Sequence, residues 1–265
     1  MSSDPLFDLT GRVAVITGGL GQLGREYVRG LAERGMRVAV YDVCADEEPP
    51  AQRSVRAFRV DVTKRAALEA ATAELVADWG VPHLLVNNAA IDTPPDAPAE
   101  EAGPFETYPE ASFDRVMDVN VKGTVLACQV VGGEMARAGR GSIVNVSSIY
   151  GLLSPQQSVY DFRRRAGETF VKPVAYSVSK SAILNLTRYL ATYWARSGVR
   201  VNTVTFAGVL ADQPAEFLAA YTPRVPLGRM AEARECLGAI VFLASDASSY
   251  VTGANLVVDG GWSAW

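Results

Sequence analysis

The chain has 265 residues, 49% of them hydrophobic, with 25 lysines and arginines against 29 aspartates and glutamates, a formal charge of −4. That length carries a full hydrophobic core, and the near-balanced charge leaves no overall basic footprint for nucleic acid. Three scattered cysteines, Cys44, Cys128 and Cys236, and one histidine make neither a disulfide framework nor a metal-ligand set.

The neighbours of the cysteines suit strand or helix interiors, so buried free thiols in a reducing compartment are expected, and no metal. The start, Met1-Ser2-Ser3-Asp4-Pro5, lacks a basic stretch followed by an apolar one, and no apolar run reaches membrane-spanning length. The expectation is a cytoplasmic protein with no membrane partner. No Pro/Gly/Ser-rich linker divides the chain, so 1–265 is read as one domain.

Arg12–Thr17 reads as a short buried strand running into Gly18-Gly19-Leu20-Gly21-Gln22-Leu23-Gly24. Leu23, Tyr27, Val28, Leu31 and Ala32 repeat at helical spacing, and Gly35 ends that helix. A second strand, Arg37–Tyr41, closes at Asp42, so the period switches from 2 to 3.6 and back, the mark of a strand-helix-strand unit. From Val43 to Ser54 the chain is polar and carries Pro49-Pro50, which predicts a short or irregular crossover. Strand Val55–Val60 ends at Asp61, and Lys64–Trp79 is a helix with Leu68, Ala71, Leu75 and Val76 on one side. Strand His83–Val86 closes at Asn87-Asn88-Ala89-Ala90. His83 sits at its amino-terminal edge and is read as structural, because ligands of such sheets bind at the carboxyl ends.

Ile91 to Tyr108 is a long loop with Pro94, Pro95, Pro98 and Pro104 and the acids Asp92, Asp96, Glu100, Glu101 and Glu106. A loop of that length beside a strand end points to function. Ala111–Ala138 is a long helix with a bend expected near Gly132-Gly133, and strand Ser142–Val146 closes at Ser147-Ser148. Tyr150 to Lys172 reads as irregular or weakly helical, Val174–Ser197 as a helix and Val199–Val204 as a strand. Phe206–Met230 reads as polar and mobile, Ala231–Ala244 as a helix, and Asn255–Val258 as the last strand before Asp259-Gly260-Gly261. Strict alternation with continuously apolar strands predicts an α/β fold, a doubly wound parallel β-sheet with helices on both faces. Loops near 91–110, 150–173 and 206–230 then fall on the substrate side.

Glycines between a strand and a helix permit a tight turn and close approach of backbone to a pyrophosphate, which the helix amino terminus stabilises. Gly18, Leu20, Gln22, Leu23 and Gly24 are the candidate contacts of that loop. Asp42, 18 positions beyond Gly24, suits a hydrogen bond to a ribose 2′-hydroxyl and repels a 2′-phosphate, which favours NAD over NADP. Tyr176 and Lys180 lie one turn apart on one helix face. A phenol with an ordinary pKa near ~10 is a poor base at neutral pH, and a neighbouring ammonium favours its phenolate. Alone, the pair reads equally well as two partly exposed helix residues.

Thr17-Gly18 through Gly24, Asn87-Asn88-Ala89, Asn120 within Val119-Asn120-Val121-Lys122-Gly123, Ser148, Tyr176 with Lys180, and Val258-Asp259-Gly260-Gly261 occur in that order. Together they resemble the signature set of the classical short-chain dehydrogenases/reductases, over essentially the whole chain. The resemblance implies an NAD(P)-binding Rossmann domain, a homotetramer, that moves hydride between a nicotinamide and a carbonyl or alcohol carbon. Tyr176 would be the acid/base, and Lys180 would hold the nicotinamide ribose and lower the tyrosine's pKa. Ser148 would orient the substrate oxygen, and Asn120 would hold a water of the proton relay. Asp61 and Val62 match positions that hold the adenine, and Asn88, Ala89 and Ala90 its ribose side. Val43, beside Asp42, and Gly208 and Val209, after the sixth strand, complete the cofactor set. The physical demands agree: a developing alkoxide needs fixed donors, hydride transfer needs a short aligned approach, and the nicotinamide supplies the redox chemistry.

Plainer roles compete. Ser147 and Ser148 can cap a strand end, and Ser148 is preferred because it precedes Ile149-Tyr150-Gly151. Asn120 can satisfy a backbone group, and Asn87 can brace neighbouring strands. Gln22 stands where the family's middle glycine is usual, Phe206-Ala207 replaces a common Pro-Gly, and Ala211 stands in place of a common threonine. These departures bear on the shape of the nicotinamide pocket.

Ser148 and Tyr176 are 28 positions apart, about twice the family's usual gap, so an additional element lies beside the substrate. It carries Tyr160, Asp161, Phe162, Arg163, Arg164, Arg165 and Lys172. Guanidinium groups grip carboxylate, phosphate or sulfonate through forked hydrogen bonds, which would make the substrate anionic. Alternatively the arginines pair with the acidic loop Ile91–Glu106 or with another subunit. Ser148, Tyr150, Arg163, Arg164, Tyr176 and Phe206 are the candidate substrate contacts, and Phe105, Tyr108, Phe162, Phe217 and Tyr221 are further candidates for an apolar wall. The aromatic ending Gly261-Trp262-Ser263-Ala264-Trp265 is expected at a subunit interface. The resulting reading is an NAD-dependent oxidoreductase that reversibly oxidises a secondary alcohol or a hydroxyl of a sugar, polyol or sugar acid. A ketoreductase of 3-oxoacyl or secondary-metabolite carbonyls and a non-catalytic NAD-sensing protein are the alternatives.

Overall fold

The structure, a computed structural model, describes residues 4–45, 54–92 and 101–265. The Pro49-Pro50 crossover and the loop residues Pro94, Pro95, Asp96, Pro98 and Glu100 lie outside the described residues. Seven parallel strands form one sheet in the order β3-β2-β1-β4-β5-β6-β7. They are β1 Val13–Thr17, β2 Arg37–Asp42, β3 Val55–Arg59, β4 Leu84–Asn87, β5 Gly141–Ser148, β6 Val199–Phe206 and β7 Asn255–Val258. Every residue of β1 and β4 is buried, as a central strand covered on both faces requires. Helices Gln22–Ala32 and Leu237–Ala244 pack one face, where Tyr27, Leu31, Ile240 and Leu243 are buried. Helices Arg65–Trp79 and Val174–Trp194 cover the other, with Leu68, Leu75, Met135 and Trp194. The sheet is a Rossmann fold whose strand order reverses between β1 and β4, and that reversal opens a crevice at their carboxyl ends.

At the opposite edge His83 does structural work. Its backbone N–H donates to the Val13 carbonyl (2.7 Å) and its Nδ1 accepts from the Val13 N–H (3.1 Å). Burial, aided by Arg140, Arg12 and Arg37, pulls its pKa down to about 4, so the imidazole stays neutral and able to accept.

The long helix starts at Glu110–Met117 and ends at Gly133–Arg137, with wide π turns at Asp118–Gly123 and Cys128–Gly132. Gly132 is itself helical (φ −64°, ψ −32°). A Cβ there would lie 2.8 Å from the Trp194 ring and 2.9 Å from Ile143 Cδ1, so the glycine serves close packing rather than a bend.

Two expectations, on Phe206–Met230 and on Cys44, are corrected. The segment Phe206–Met230 is ordered around helix Ala215–Tyr221, whose Phe217 and Tyr221 sit four apart and bury one apolar edge with Val225 and Met230. Cys44 is exposed, because the chain turns out of the sheet after Asp42, while Cys128 and Cys236 are buried. Trp262 is buried in its own chain, stacked on Tyr221 at 4.4 Å, and Trp265 is exposed. No helix among the described residues is long and apolar enough to cross a membrane.

A ladder of buried amides and hydroxyls ties helix Val174–Trp194 to the middle of the sheet. Asn87 Nδ2 donates to Asn145 Oδ1 (2.8 Å), Asn145 Nδ2 to Thr187 Oγ1 (2.9 Å), and Thr203 Oγ1 to Thr187 Oγ1 (2.7 Å). Thr187→Val keeps the shape and strands two buried donors. It is expected to destabilise the fold by roughly 1–3 kcal/mol, read as a lower urea midpoint at unchanged slope.

Candidate active site

The crevice is built from backbone. Gly18 has φ +64°, and a Cβ there would lie 2.8 Å from Ala89 Cα. Thr17 Oγ1 accepts from the N–H groups of Asn88 and Ala89 (both 3.1 Å), and Asn88 Nδ2 donates to the Gly18 carbonyl (2.9 Å). Beneath the loop a Cβ on Gly24 would fall 2.2 Å from Gly18 O, so helix and loop meet at backbone contact. Gly21 caps helix Gln22–Ala32 with no side-chain partner, which leaves the helix amino terminus facing the crevice.

The cavity here holds about 500 Å³. Its wall carries Gly18, Leu20, Gln22 and Leu23 from the loop, Asp42 and Val43 after β2, Asp61 and Val62 after β3, and Asn88, Ala89 and Ala90 after β4. Gly24 lies underneath. Asp42 is fixed by the N–H groups of Leu20 and Cys44, each at 3.0 Å. Asp61 Oδ1 accepts from the Thr63 N–H (2.9 Å) and hydroxyl (2.7 Å). Gln22 needs no left-handed backbone, and its Nε2 donates to the Leu210 carbonyl (2.6 Å), tying the loop to the segment after β6. A cradle that admits no Cβ at Gly18 or Gly24, below an uncapped helix terminus and with a carboxylate at the β2 end, fits a dinucleotide.

A second cavity of about 370 Å³ shares Gln22, Leu23, Asn88 and Ala90 with the first, so the two are continuous. Ser148, Tyr150, Tyr176, Lys180, Phe206, Gly208 and Val209 line it, as do Asp92, Tyr160, Lys172 and Met230. Phe217 and Tyr221 form part of its wall, whereas Phe105, Tyr108 and Phe162 do not.

Tyr176 is half-buried, packed against the aromatic cluster of the cavity, with the Ser148 side chain on the same wall. Ser148 Oγ accepts from the Tyr150 N–H (3.2 Å), while Ser147 Oγ donates to the Lys180 carbonyl (2.9 Å) and is structural. Lys180 Nζ lies 5.7 Å from the Tyr176 ring centroid and donates to the Val146 carbonyl (2.9 Å). Burial, then the Asp92 carboxylate and Tyr150, push the Tyr176 pKa up, and the Ser148 hydroxyl opposes them. In the chain by itself, burial is the largest influence on the phenol. Burial also pulls Lys180 down to about 8, with Asp92 holding it up.

Asn120 lines neither cavity. Its Nδ2 donates to the Ile91 carbonyl and to Ser179 Oγ (both 2.9 Å), and its Oδ1 accepts from the Ile91 N–H (2.8 Å). Ser179 Oγ in turn donates to the Tyr176 carbonyl (2.7 Å), so Asn120 links the segment after β4 to the tyrosine's helix. Its side chain is a brace.

Arg163 and Arg164 are corrected as substrate contacts, since neither lines the cavity. Arg163 Nε donates to Glu168 (2.6 Å) with its guanidinium 4.3 Å over the Phe170 ring. Arg164 pairs with Asp161 and donates to the carbonyls of Gln157 (2.9 Å) and Phe170 (3.2 Å). The short helix Asp161–Arg165 turns these guanidiniums back on their own element, and Glu101 of the acidic loop engages Arg115 instead. The insertion's cation in the cavity is Lys172. Lys172, Tyr176 and Lys180 are spaced by four, a signal the sequence does contain.

A family model described as Enoyl-(Acyl carrier protein) reductase matches residues 21–263. A cis-4-hydroxycyclohexanecarboxylate dehydrogenase of Sinomonas cyclohexanicum is 38% identical over 263 residues, covering 96% of this chain and 97% of the relative. An NAD-dependent glycerol dehydrogenase of Listeria innocua is 32% identical over 269 residues, covering 98% and 97%. Among solved structures, a short chain dehydrogenase of Leptospira borgpetersenii with bound NAD+ superposes with a TM-score of 0.86 at 30% identity, covering 99% and 96%.

Gly24→Ala tests the cradle. The added methyl displaces the Gly18 carbonyl, and NADH binding, followed by fluorescence titration, is expected to weaken roughly tenfold or more while far-ultraviolet circular dichroism is unchanged.

Proposed function

The chain belongs to the classical short-chain dehydrogenase/reductase family of NAD(P)-binding oxidoreductases, and from that premise we propose that it reversibly oxidises a secondary alcohol, or a hydroxyl of a sugar, polyol or sugar acid, with NAD. One observation carries this reading: Tyr176, on one wall with Ser148 and flanked by Lys180, lies in a cavity continuous with the dinucleotide crevice. Tyr176 Oη takes the proton of the substrate hydroxyl, and Ser148 Oγ holds the same oxygen and fixes its direction. Lys180, mostly charged below a pH of about 8, favours the phenolate form. When bound, the cofactor supplies the hydride acceptor and, oxidised, a positive charge that further favours the phenolate.

Tyr150, Phe206, Phe217 and Tyr221 give flat, apolar walls that suit the C–H faces of a small ring or short carbon chain. The two named relatives each act on an alcohol, one on a cyclohexane ring bearing a carboxylate and one on glycerol, and both support the class. The Asp42 carboxylate at the end of β2 supports NAD over NADP. A homotetramer in the cytoplasm is part of the same reading, and light scattering checks the assembly.

Tyr176→Phe is expected to lower kcat by about 10²–10⁴-fold with NADH affinity nearly unchanged, and preserved turnover would sink the mechanism. Wild-type protein is expected to bind NADH more tightly than NADPH, and Asp42→Ser to narrow that gap. Absorbance of NADH, followed in both directions across polyols, sugars, hydroxy acids and simple ketones, identifies the substrate. Activity confined to acyl ketones would favour the reductase alternative.

A further inference from the structure

The insertion before Tyr176 brings an ammonium to the catalytic ring. Gln157 grips the backbone of Lys172 at both ends: its Oε1 accepts from the Lys172 N–H (2.9 Å) and its Nε2 donates to the Lys172 carbonyl (3.3 Å). Arg164 spans the carbonyls of Gln157 and Phe170 and so closes the insertion on itself, while the neighbouring Val171 N–H donates to the Ala102 carbonyl (2.8 Å). Held this way, the Lys172 side chain is only 5% exposed, and its Nζ sits 2.6 Å from Asp92 Oδ1 and 5.4 Å from the Tyr176 ring centroid. Asp92 is mounted from the other side, because the Asn120 amide clasps both the N–H and the carbonyl of adjacent Ile91. Two independent scaffolds thus converge on one ion pair beside the phenol.

We propose that the Lys172–Asp92 pair is a positioning device for proton transfer at Tyr176, in which Lys172 neutralises the carboxylate that the chain places next to the phenol and thereby sets the pH at which the tyrosine becomes a base. The proposal rests on the reading of Tyr176 as the acid/base. The groups that face Tyr176 are Lys180 on its own helix, Ser148 and Tyr150 at and after the end of β5, Tyr160 and Lys172 from the insertion, and Asp92 after β4. Burial raises the pKa of Tyr150 and of Tyr160, so both stay neutral, and among the described residues three ions lie beside the phenol. Two are ammonium groups and one a carboxylate. The carboxylate alone opposes the phenolate, and raises the Tyr176 pKa. Lys172 Nζ, 2.6 Å from the carboxylate and 5.4 Å from the Tyr176 ring centroid, works to neutralise it, and Lys180 at 5.7 Å adds a second positive charge. The same neutrality argues against Lys172 as an anchor for a substrate anion, which would meet Asp92 as well.

The test is a double-mutant cycle read in pH. The acid limb of kcat and kcat/KM for alcohol oxidation, where activity falls as Tyr176 is protonated, is recorded for wild type, Asp92→Asn, Lys172→Met and the double variant. Lys172→Met is expected to move the limb up by about one pH unit, and Asp92→Asn to move it down by about one. The double variant is expected to return close to wild type. Single variants that shift the limb in the same direction, or that change KM with the limb fixed, overturn the proposal; the second pattern makes the pair a substrate contact. Thermal melting and NADH binding report folding for each variant, and Asp92→Asn, which preserves shape at a half-exposed position, carries the test alone if Lys172→Met does not fold. Turnover retained in Tyr176→Phe removes the acid/base reading itself. An inactive Tyr176→Phe with unmoved limbs removes only the role of the pair.

Discussion

Everything in the crevice depends on one steric constraint: where β1 ends, the Gly18 backbone, the start of the following helix and the end of β4 meet with no room for a side chain. The Gly18 Cβ position is 2.8 Å from Ala89 Cα, and the Gly24 Cβ position is 2.2 Å from Gly18 O. Thr17 makes that contact cohesive as well as tight, since its hydroxyl takes up two N–H groups that the end of β4 would otherwise leave without partners. A crevice made this way presents peptide groups rather than side chains, which is what a pyrophosphate needs. It also fixes the carboxyl ends of β2 and β3, with Asp42 and Asp61, along the same wall.

The proposed acid/base, Tyr176, inherits its position from that frame by a different means. Tyr176 is on a helix, Ser148 at a strand end and Lys172 on an insertion, so nothing local holds them in register. The buried ladder from Asn87 through Asn145 and Thr187 to Thr203 binds the helix to β4, β5 and β6. Asn120 adds a second tie, from Ile91 through Ser179 to the Tyr176 carbonyl. Buried polar groups are destabilising unless each finds a partner, and here the partners are the elements that must stay aligned. Precision at the site is thus supplied by the residues that composition alone marks as liabilities.

The sheet was legible because its central strands, buried on both faces, leave no polar alternation to confuse them; even the partly exposed edge strand β7 matched its predicted span, Asn255–Val258, and the other strands differ by one or two residues at their ends. The glycine loop, Asp42, Ser148 and Tyr176–Lys180 were legible because their chemistry dictates spacing along one element or adjacency to a strand end. What failed to show was contact between distant segments. Arg163 and Arg164 look like an anion site until Asp161, Glu168 and two carbonyls of the same insertion take them up. The polar count of Phe206–Met230 concealed the helix that carries Phe217 and Tyr221, and with it the stack that Tyr221 makes on Trp262 from the far end of the chain. Lys172 carried a readable spacing, four before Tyr176, yet its partner Asp92 is 80 positions away, and no local pattern connects them.

That last pair bears on how this site can work at all. In the proposed reaction, burial shields hydride transfer from water and, by the same act, disfavours the Tyr176 phenolate that would take the proton. A single ammonium under the ring is a partial answer, because burial also drains charge from Lys180, whose pKa falls to about 8. Asp92 holds that ammonium protonated but opposes the phenolate, so its charge helps one member of the pair and hinders the other. An ion at 2.6 Å from Asp92 and 5.4 Å from the Tyr176 ring resolves the conflict by geometry, since it screens the carboxylate and adds a positive charge on the phenol's side. The insertion can then be understood as the length of chain required to bring that ion to a ring already supported by Lys180 from the following turn.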